Sequence, residues 1–303
     1  MKILIAYDGS DAADAALDEL RRAGLPDRAE ALVVVTDVWL TSSPDEFSRV
    51  VARRRMLLAE SSSFAPALRE VEEERALSRE AVRRIRALFP NWDMRTEAEA
   101  GMGTVASALL RRASSWGADL LVVGSGCRHA QEHVVGDATR RVAAEAPCSV
   151  RVAKQAAATS GNAVRLLVAG DGPLGSRGAF RAIASREWPP GSECRVIAGA
   201  HSDHDAAETL RSTGLKVSTV SQEGELRRAL IEEAGRWGAD CIFVGAHGRD
   251  GEADQRIPDD LVAALVASSP CSVEVARASV RTKDGAHLTI IRAPVQAAAT
   301  GAV

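Results

Sequence analysis

No apolar run in the 303 residues approaches the roughly 20 needed to span a bilayer, so neither a membrane-spanning helix nor a membrane partner is expected. The five cysteines, Cys127, Cys148, Cys194, Cys241 and Cys271, are scattered and odd in number, and none forms a C-x-x-C pair. Reduced thiols in a cytoplasmic protein are the expectation. Basic residues are spread along the chain and the net charge is −3, so nothing marks a nucleic-acid surface. The opening "MKILIAYDGS" reads straight into a strand without the small-residue cleavage site of a secretory leader. No nucleophile–base–orienter set and no pair of carboxylates with a defined geometry stands out, so the chain is not read as an enzyme.

What is present is a soluble composition, 46 % hydrophobic and 26 % charged, in a length that suits two domains. The chain is written twice. "WGADLLVVG" (116–124) and "WGADCIFVG" (237–245) match at six of nine positions, and "PCSVRVA" (147–153) and "PCSVEVA" (270–276) at six of seven. A weaker pair, "ILIAYDGS" (3–10) and "LLVAGDGP" (166–173), aligns Asp8 with Asp171. The expected division is a first domain over 1–154, a linker over 155–163, a second domain over 164–277 and a tail over 278–303.

Each half alternates strands and helices. In the first, strands are expected at 2–7, 31–39, 93–99, 118–124 and 148–153, with helices at 10–23, 103–116 and 137–146. The strand at 93–99 is the poorest and is placed towards an edge. The second half repeats the pattern with strands near 164–169, 194–199, 215–220, 240–245 and 271–276. Alternation with right-handed crossovers implies α/β architecture: two tandem Rossmann-like domains, each a doubly wound five-stranded parallel sheet. The first half holds about 40 extra residues, read as a helical insert near 43–89 with Ser43 as N-cap, Pro44 in the first turn and Glu46 as capping partner. Val71, Val82, Ile85 and Phe89 approximate one apolar stripe. The insert either packs on the domain or forms an arm for a partner. In the tail, "HLTIIRA" (287–293) offers one more strand.

These residues resemble the universal stress protein family in its tandem form. The resemblance rests on "IAYDGS" after the first strand, "VVVTDVW" in the second, "WGADLLVVGSG" leading out of the fourth and "APCSVRV" as the fifth, in that order and repeated. It covers about 1–153 and 164–277 and leaves out the insert and the tail. It implies a cytoplasmic protein that acts in stress survival by binding or regulation, with a regulatory protein partner and no defined turnover. Some members bind ATP through Gly-x-x-Gly, nine residues, then Gly-Ser or Gly-Thr; others lack the motif and do not. Many members pair through the fifth strand, so the two halves are expected to pair as an intramolecular pseudo-dimer.

A phosphate needs several backbone N–H groups and the positive end of a helix dipole, which glycines and a hydroxyl make approachable. In the first half Gly126, nine residues and Gly136 fit, but Gly124 and Gly126 are separated by one residue instead of two. Asp137 stands where the family has a hydroxyl, and Thr139 offers one two residues on. Asp137 is read as capping the helix N–H groups that a phosphate would use. In the second half Gly245 and Gly248 have the right gap, but Pro258, Asp259 and Asp260 replace the rest, and proline has no N–H to give. Asp8 at the carboxyl end of strand one is either a ligand residue or a turn residue in "DGS". The candidate nucleotide residues are thus Asp8, Gly124, Gly126, Gly136 and Thr139. The expectation is a binding protein with degenerate loops and no cofactor. An ATP- or AMP-binding switch in the first domain is the alternative, and a nucleotide hydrolase-like enzyme the third reading. "HSDHD" (201–205) is read as a solvated loop and not a metal site, and Cys127 beside Arg128 and His129 as an idle thiol.

Overall fold

The computed structural model describes residues 1–36, 65–99, 104–126, 135–154, 162–170, 176–198, 204–221, 224–246 and 259–277. The first half contributes β1 (Lys2–Tyr7), α1 (Asp11–Glu19), β2 (Glu30–Thr36), α2 (Ala65–Leu88), β3 (Asp93–Glu99), α3 (Val105–Trp116), β4 (Leu120–Gly124), α4 (Asp137–Glu145) and β5 (Ser149–Ala153). The second contributes β6 (Arg165–Ala169), α5 (Ser176–Ala184), β7 (Glu193–Ala198), α6 (His204–Arg211), β8 (Lys216–Ser221), α7 (Leu226–Trp237), β9 (Cys241–Ala246), α8 (Asp259–Ser268) and β10 (Ser272–Arg277).

All ten strands lie in one sheet, in the order β3-β2-β1-β4-β5-β10-β9-β6-β7-β8. Within each half every pairing is parallel. The halves meet where β5 and β10 run antiparallel, with Val150 opposite Val275, Arg151 opposite Glu274 and Val152 opposite Val273. This is the expected doubly wound fold written twice. The strand that looked poorest, β3, is one edge, and its counterpart β8 is the other.

Alternation along the strands assigns the layers. Leu4, Leu121, Val150, Val152, Ile242, Val273 and Val275 share one continuous core that crosses the seam beneath α3, α4, α7 and α8. On the opposite face the core is split in two: Ile3, Ile5 and Val122 pack with α1 and α2, while Leu166, Val168 and Phe243 pack with α5.

The repeated "WGAD" is a joint in both halves. Gly117 and Gly238 take φ of 69° and 68° to close α3 and α7, a conformation that glycine adopts without strain. The next acid anchors the first strand: Asp119 accepts the Lys2 N–H at 2.7 Å and Asp240 accepts the Arg165 N–H at 2.8 Å. Lys2 Nζ lies 5.4 Å from the Trp116 ring and the Arg165 guanidinium 5.9 Å from the Trp237 ring.

Two expectations change. The helix placed at 10–23 ends at Glu19 and continues as a short 3₁₀ turn, Leu20–Arg22. The segment read as an insert holds α2, which is the crossover from β2 to parallel β3 and has α6 as its counterpart between β7 and β8. Ala81 and Ile85 are fully buried against the sheet while Val82 lies at an open groove beside Thr96, so α2 is part of the first domain's core. The length that sets it apart lies N-terminal to this buried part. Residues 43–64, the remainder of the segment, and the tail strand near 287–293 lie outside the described residues.

Candidate functional site

The strand order reverses between β1 and β4: α1 leaves β1 towards one face of the sheet, and α4 follows β4 on the other. Open α/β sheets bind ligands at the crevice such a reversal makes. Asp8, Gly124, Gly126, Gly136 and Thr139 all gather at this end of β1 and β4.

Each has a local task there. Asp8 Oδ1 accepts the Ser10 N–H at 2.9 Å, closing the turn in which Gly9 takes φ 68°. Ser10 then caps α1 by accepting the Ala13 N–H at 3.1 Å. The start of α1 rests on the end of β4. A Cβ on Gly124 would lie 2.6 Å from the Ala12 carbonyl oxygen, and one on Gly126 would lie 3.5 Å from Ala12 Cβ. Gly124 therefore has no side chain because the backbone of α1 approaches it. Thr139 is buried and its hydroxyl donates to the Gly124 carbonyl at 3.0 Å. The Gly136 N–H donates to the Ser125 carbonyl at 3.3 Å, and the Ser125 N–H to the Ala153 carbonyl at 3.0 Å.

The role expected of Asp137 is corrected. The N-cap of α4 is Gly136, which has no side chain to accept the first N–H groups, and Asp137 is the first helical residue. Its carboxylate turns to Arg140, one turn on. An acid at the first helical position is drawn to a cation three residues away on the same face, and Arg140 supplies it. Among the described residues, nothing lies within 4 Å of the Cβ position at Gly136.

A polar cluster that sequence reasoning missed flanks β1. Tyr7 Oη donates to Asp14 Oδ1 at 2.7 Å, and Arg84 of α2 reaches Asp14 at 2.5 Å and Asp18 at 2.6 Å. Burial, then the hydrogen bond to Asp14, pushes the Tyr7 phenol above its usual range. Arg84 lies 66 or more residues from the α1 and β1 members it joins, so no local pattern could reveal the cluster.

Burial raises the thiols of Cys148 and Cys194 to about 12 and that of Cys271 to about 11, and Cys241 is raised as well. These four are core residues, and Cys127 lies outside the described residues. So do Arg128, His129, Asp171, His201, Asp203, Gly248 and Pro258. His204 opens α6, and Gly245 lies near the end of β9. Among the described residues no group of three or more His, Cys, Asp or Glu could hold a metal ion, and no helix is long and apolar enough to cross a membrane.

Comparison with known proteins agrees with this architecture. No curated protein matches the sequence. A universal stress protein from Archaeoglobus fulgidus aligns over 91 % of this chain and 98 % of its own, with a TM-score of 0.58 at 16 % identity. A Pseudomonas aeruginosa protein assigned to the same family aligns over 91 % of this chain and 92 % of its own, with a TM-score of 0.53 at 14 % identity. At these identities the likeness is one of fold. The family's sequence profile matches twice, at residues 1–154 and 151–277. The chain therefore belongs to the universal stress protein family, in the tandem form that carries two family domains.

Proposed function

We propose that this chain is a non-enzymatic stress-response protein that works by binding and regulation, with nucleotide loops that have turned to holding the fold. One observation carries this reading: the candidate ligand groups of the first domain are engaged by one another and by α1. Thr139 spends its hydroxyl proton on the Gly124 carbonyl, Asp8 holds the Ser10 N–H, and Ala12 fills the space beside Gly124. A phosphate would have to displace these contacts, and each loop group it took would leave a buried partner unsatisfied. A cytoplasmic protein with a regulatory protein partner fits the same reading.

The second reading, an ATP- or AMP-binding switch in the first domain, draws on a different observation. The first turn of α4 begins at a glycine whose Cβ position no described residue approaches within 4 Å, and Arg140 offsets the charge of Asp137. Native mass spectrometry of freshly purified protein separates the two. Protein at its bare mass, with no heat on titration with ATP or AMP, supports the first; a co-purified nucleotide mass supports the second. Hydrolysis of ATP that is lost on substitution at Gly126 and Gly136 would overturn the non-enzymatic reading.

A further inference from the structure

The repeated blocks "PCSVRVA" and "PCSVEVA" differ at one position, Arg151 against Glu274. These two residues also face each other in the β5–β10 ladder, with Val150 opposite Val275 on one side and Val152 opposite Val273 on the other. Equivalent residues face each other only on a twofold axis, so the pseudo-twofold relating the halves passes through this pair. The one difference in the repeat thus sits where symmetry would otherwise put a residue against its own copy.

Both side chains are fully buried. Arg151 is held within its own half by Glu19 of α1, its Nε donating at 2.8 Å. Glu274 is held within its own half by Arg186, which follows α5 and also donates to the Ala23 carbonyl across the seam at 2.9 Å. Arg151 Nη1 links the two ion pairs by donating to Glu274 at 2.9 Å. Across the seam the order is Glu19, Arg151, Glu274, Arg186, alternating in sign throughout. Two first halves paired in this register would bury Arg151 against Arg151, and two second halves Glu274 against Glu274. Desolvated like charges in contact with no counter-ion between them are strongly disfavoured.

We infer that the fifth-strand edge of each half is charge-coded for the other half: the first presents a buried cation on the axis, the second a buried anion, and each rejects a copy of itself. The same code bars fifth-strand pairing between equivalent halves of two copies of the chain. It leaves closure within one chain, or reciprocal exchange of unlike halves, as the arrangements that keep the signs alternating.

The test uses the full chain with a protease site placed within residues 155–161, folded and then cleaved. Cleaved protein is mixed with its heavy-isotope counterpart at a temperature where pairs exchange label, and the pairs are weighed by native mass spectrometry. Every mixed-label pair is expected to contain one first half and one second half, with like pairs below about one in a hundred. Glu19→Leu/Arg151→Met makes the first half neutral on the axis and is expected to raise first–first pairs at least about tenfold. Glu19→Gln/Arg151→Gln is read the same way if the apolar variant does not fold. Like pairs as abundant as unlike pairs in the wild type would overturn the inference. So would separation into lone halves, or neutral variants with no rise in first–first pairs.

Discussion

Lys154 and Arg277 hold equivalent places at the ends of β5 and β10, and each reaches across the seam to the carboxyl end of the other half's last helix. Lys154 Nζ donates to the Ser269 carbonyl, just past α8, at 2.6 Å. Arg277 donates to the Ala143 and Ala144 carbonyls of α4 at 2.7 and 2.8 Å and to the Cys148 carbonyl at 3.3 Å. The last carbonyls of a helix lack partners and carry its negative dipole end, so cations there satisfy both needs. The two halves thus cap each other's helices.

Arg277→Ala is expected to cost about 1–3 kcal/mol, because it orphans three carbonyls at a partly buried seam. Lys154→Ala is expected to cost less: it orphans one carbonyl, and burial lowers the pKa of this ammonium, so its charge is itself expensive to hold. Urea midpoints of the two variants rank them, and a larger loss for Lys154→Ala would contradict this account of the seam.

Glu274→Ala is expected to be the most damaging single change at the seam, at about 3–5 kcal/mol, since it removes the carboxylate of buried Arg186 and leaves buried Arg151 with Glu19 alone. Replacing Glu19, Arg151, Glu274 and Arg186 together by apolar residues of similar volume should restore most of that loss. Thermal unfolding of the single and quadruple variants distinguishes a costly orphaned charge from a network that stabilises outright.

The three candidate-loop glycines should separate on substitution by alanine. At Gly124 the new Cβ meets the Ala12 backbone at 2.6 Å, so α1 must shift, and a loss above about 2 kcal/mol is expected. At Gly126 the new contact is an ordinary 3.5 Å, and at Gly136 no described residue lies within 4 Å, so about 1 kcal/mol or less is expected at each. Equal losses at all three positions in denaturant titrations would show that the crevice is not closed by α1.

Stability is expected to fall in alkali before most surface groups respond. An unfolded chain releases thiol protons near pH 8.5, whereas folded Cys148, Cys194 and Cys271 hold theirs to about 12, 12 and 11. Folded thiols with raised pKa bind more protons than unfolded ones in that window, so their stabilisation is complete below about pH 8.5 and drains away above it. Urea midpoints should drop between pH 8 and pH 10.5, and Cys194→Ala should show a shallower drop. An unchanged slope in Cys194→Ala would show that the thiols do not drive the effect.

Most of the fold was legible because buried parallel strands read as short β-branched runs and because the chain repeats them. "WGAD" marked the repeat, and the structure explains why three of its residues recur: a ring under a cation, a left-handed helix close, and an aspartate that pins the neighbouring strand. The position of α2 was misread because counting extra residues does not say which of them form the crossover; only Ala81 and Ile85 against the sheet decide that. At the loop, the family's glycine motif and the strand-end place of Asp8 singled out Asp8, Gly124, Gly126, Gly136 and Thr139. Neither could show that the Ala12 backbone closes on Gly124, a contact across more than 100 residues, or that Asp137 turns to Arg140, which depends on side-chain direction. The seam charges were visible as the one mismatch in a seven-residue block, but reading that mismatch required the register.

Asp137→Ser is expected to raise ATP affinity, by less than the bare charge suggests. Two unit charges about 4 Å apart at an effective dielectric near 20 repel by roughly a thousandfold in affinity. The Asp137 carboxylate is 72 % exposed and paired with Arg140, so solvent and the guanidinium cancel most of that field. A gain of about tenfold is the expectation that remains. Part of it comes from Arg140, which loses its partner and becomes able to meet a phosphate, and part from the new hydroxyl at the first turn of α4. Thr139 cannot supply that hydroxyl, because its proton is committed to the Gly124 carbonyl. Arg140→Ala should therefore weaken any ATP binding that Asp137→Ser creates, whereas Thr139→Val should lower stability and leave that binding nearly unchanged. Titration calorimetry on the wild type, Asp137→Ser and the two double variants tests each step. Micromolar binding by the wild type, or a Thr139→Val change that abolishes binding, would return Thr139 and its loop to the role of a nucleotide site.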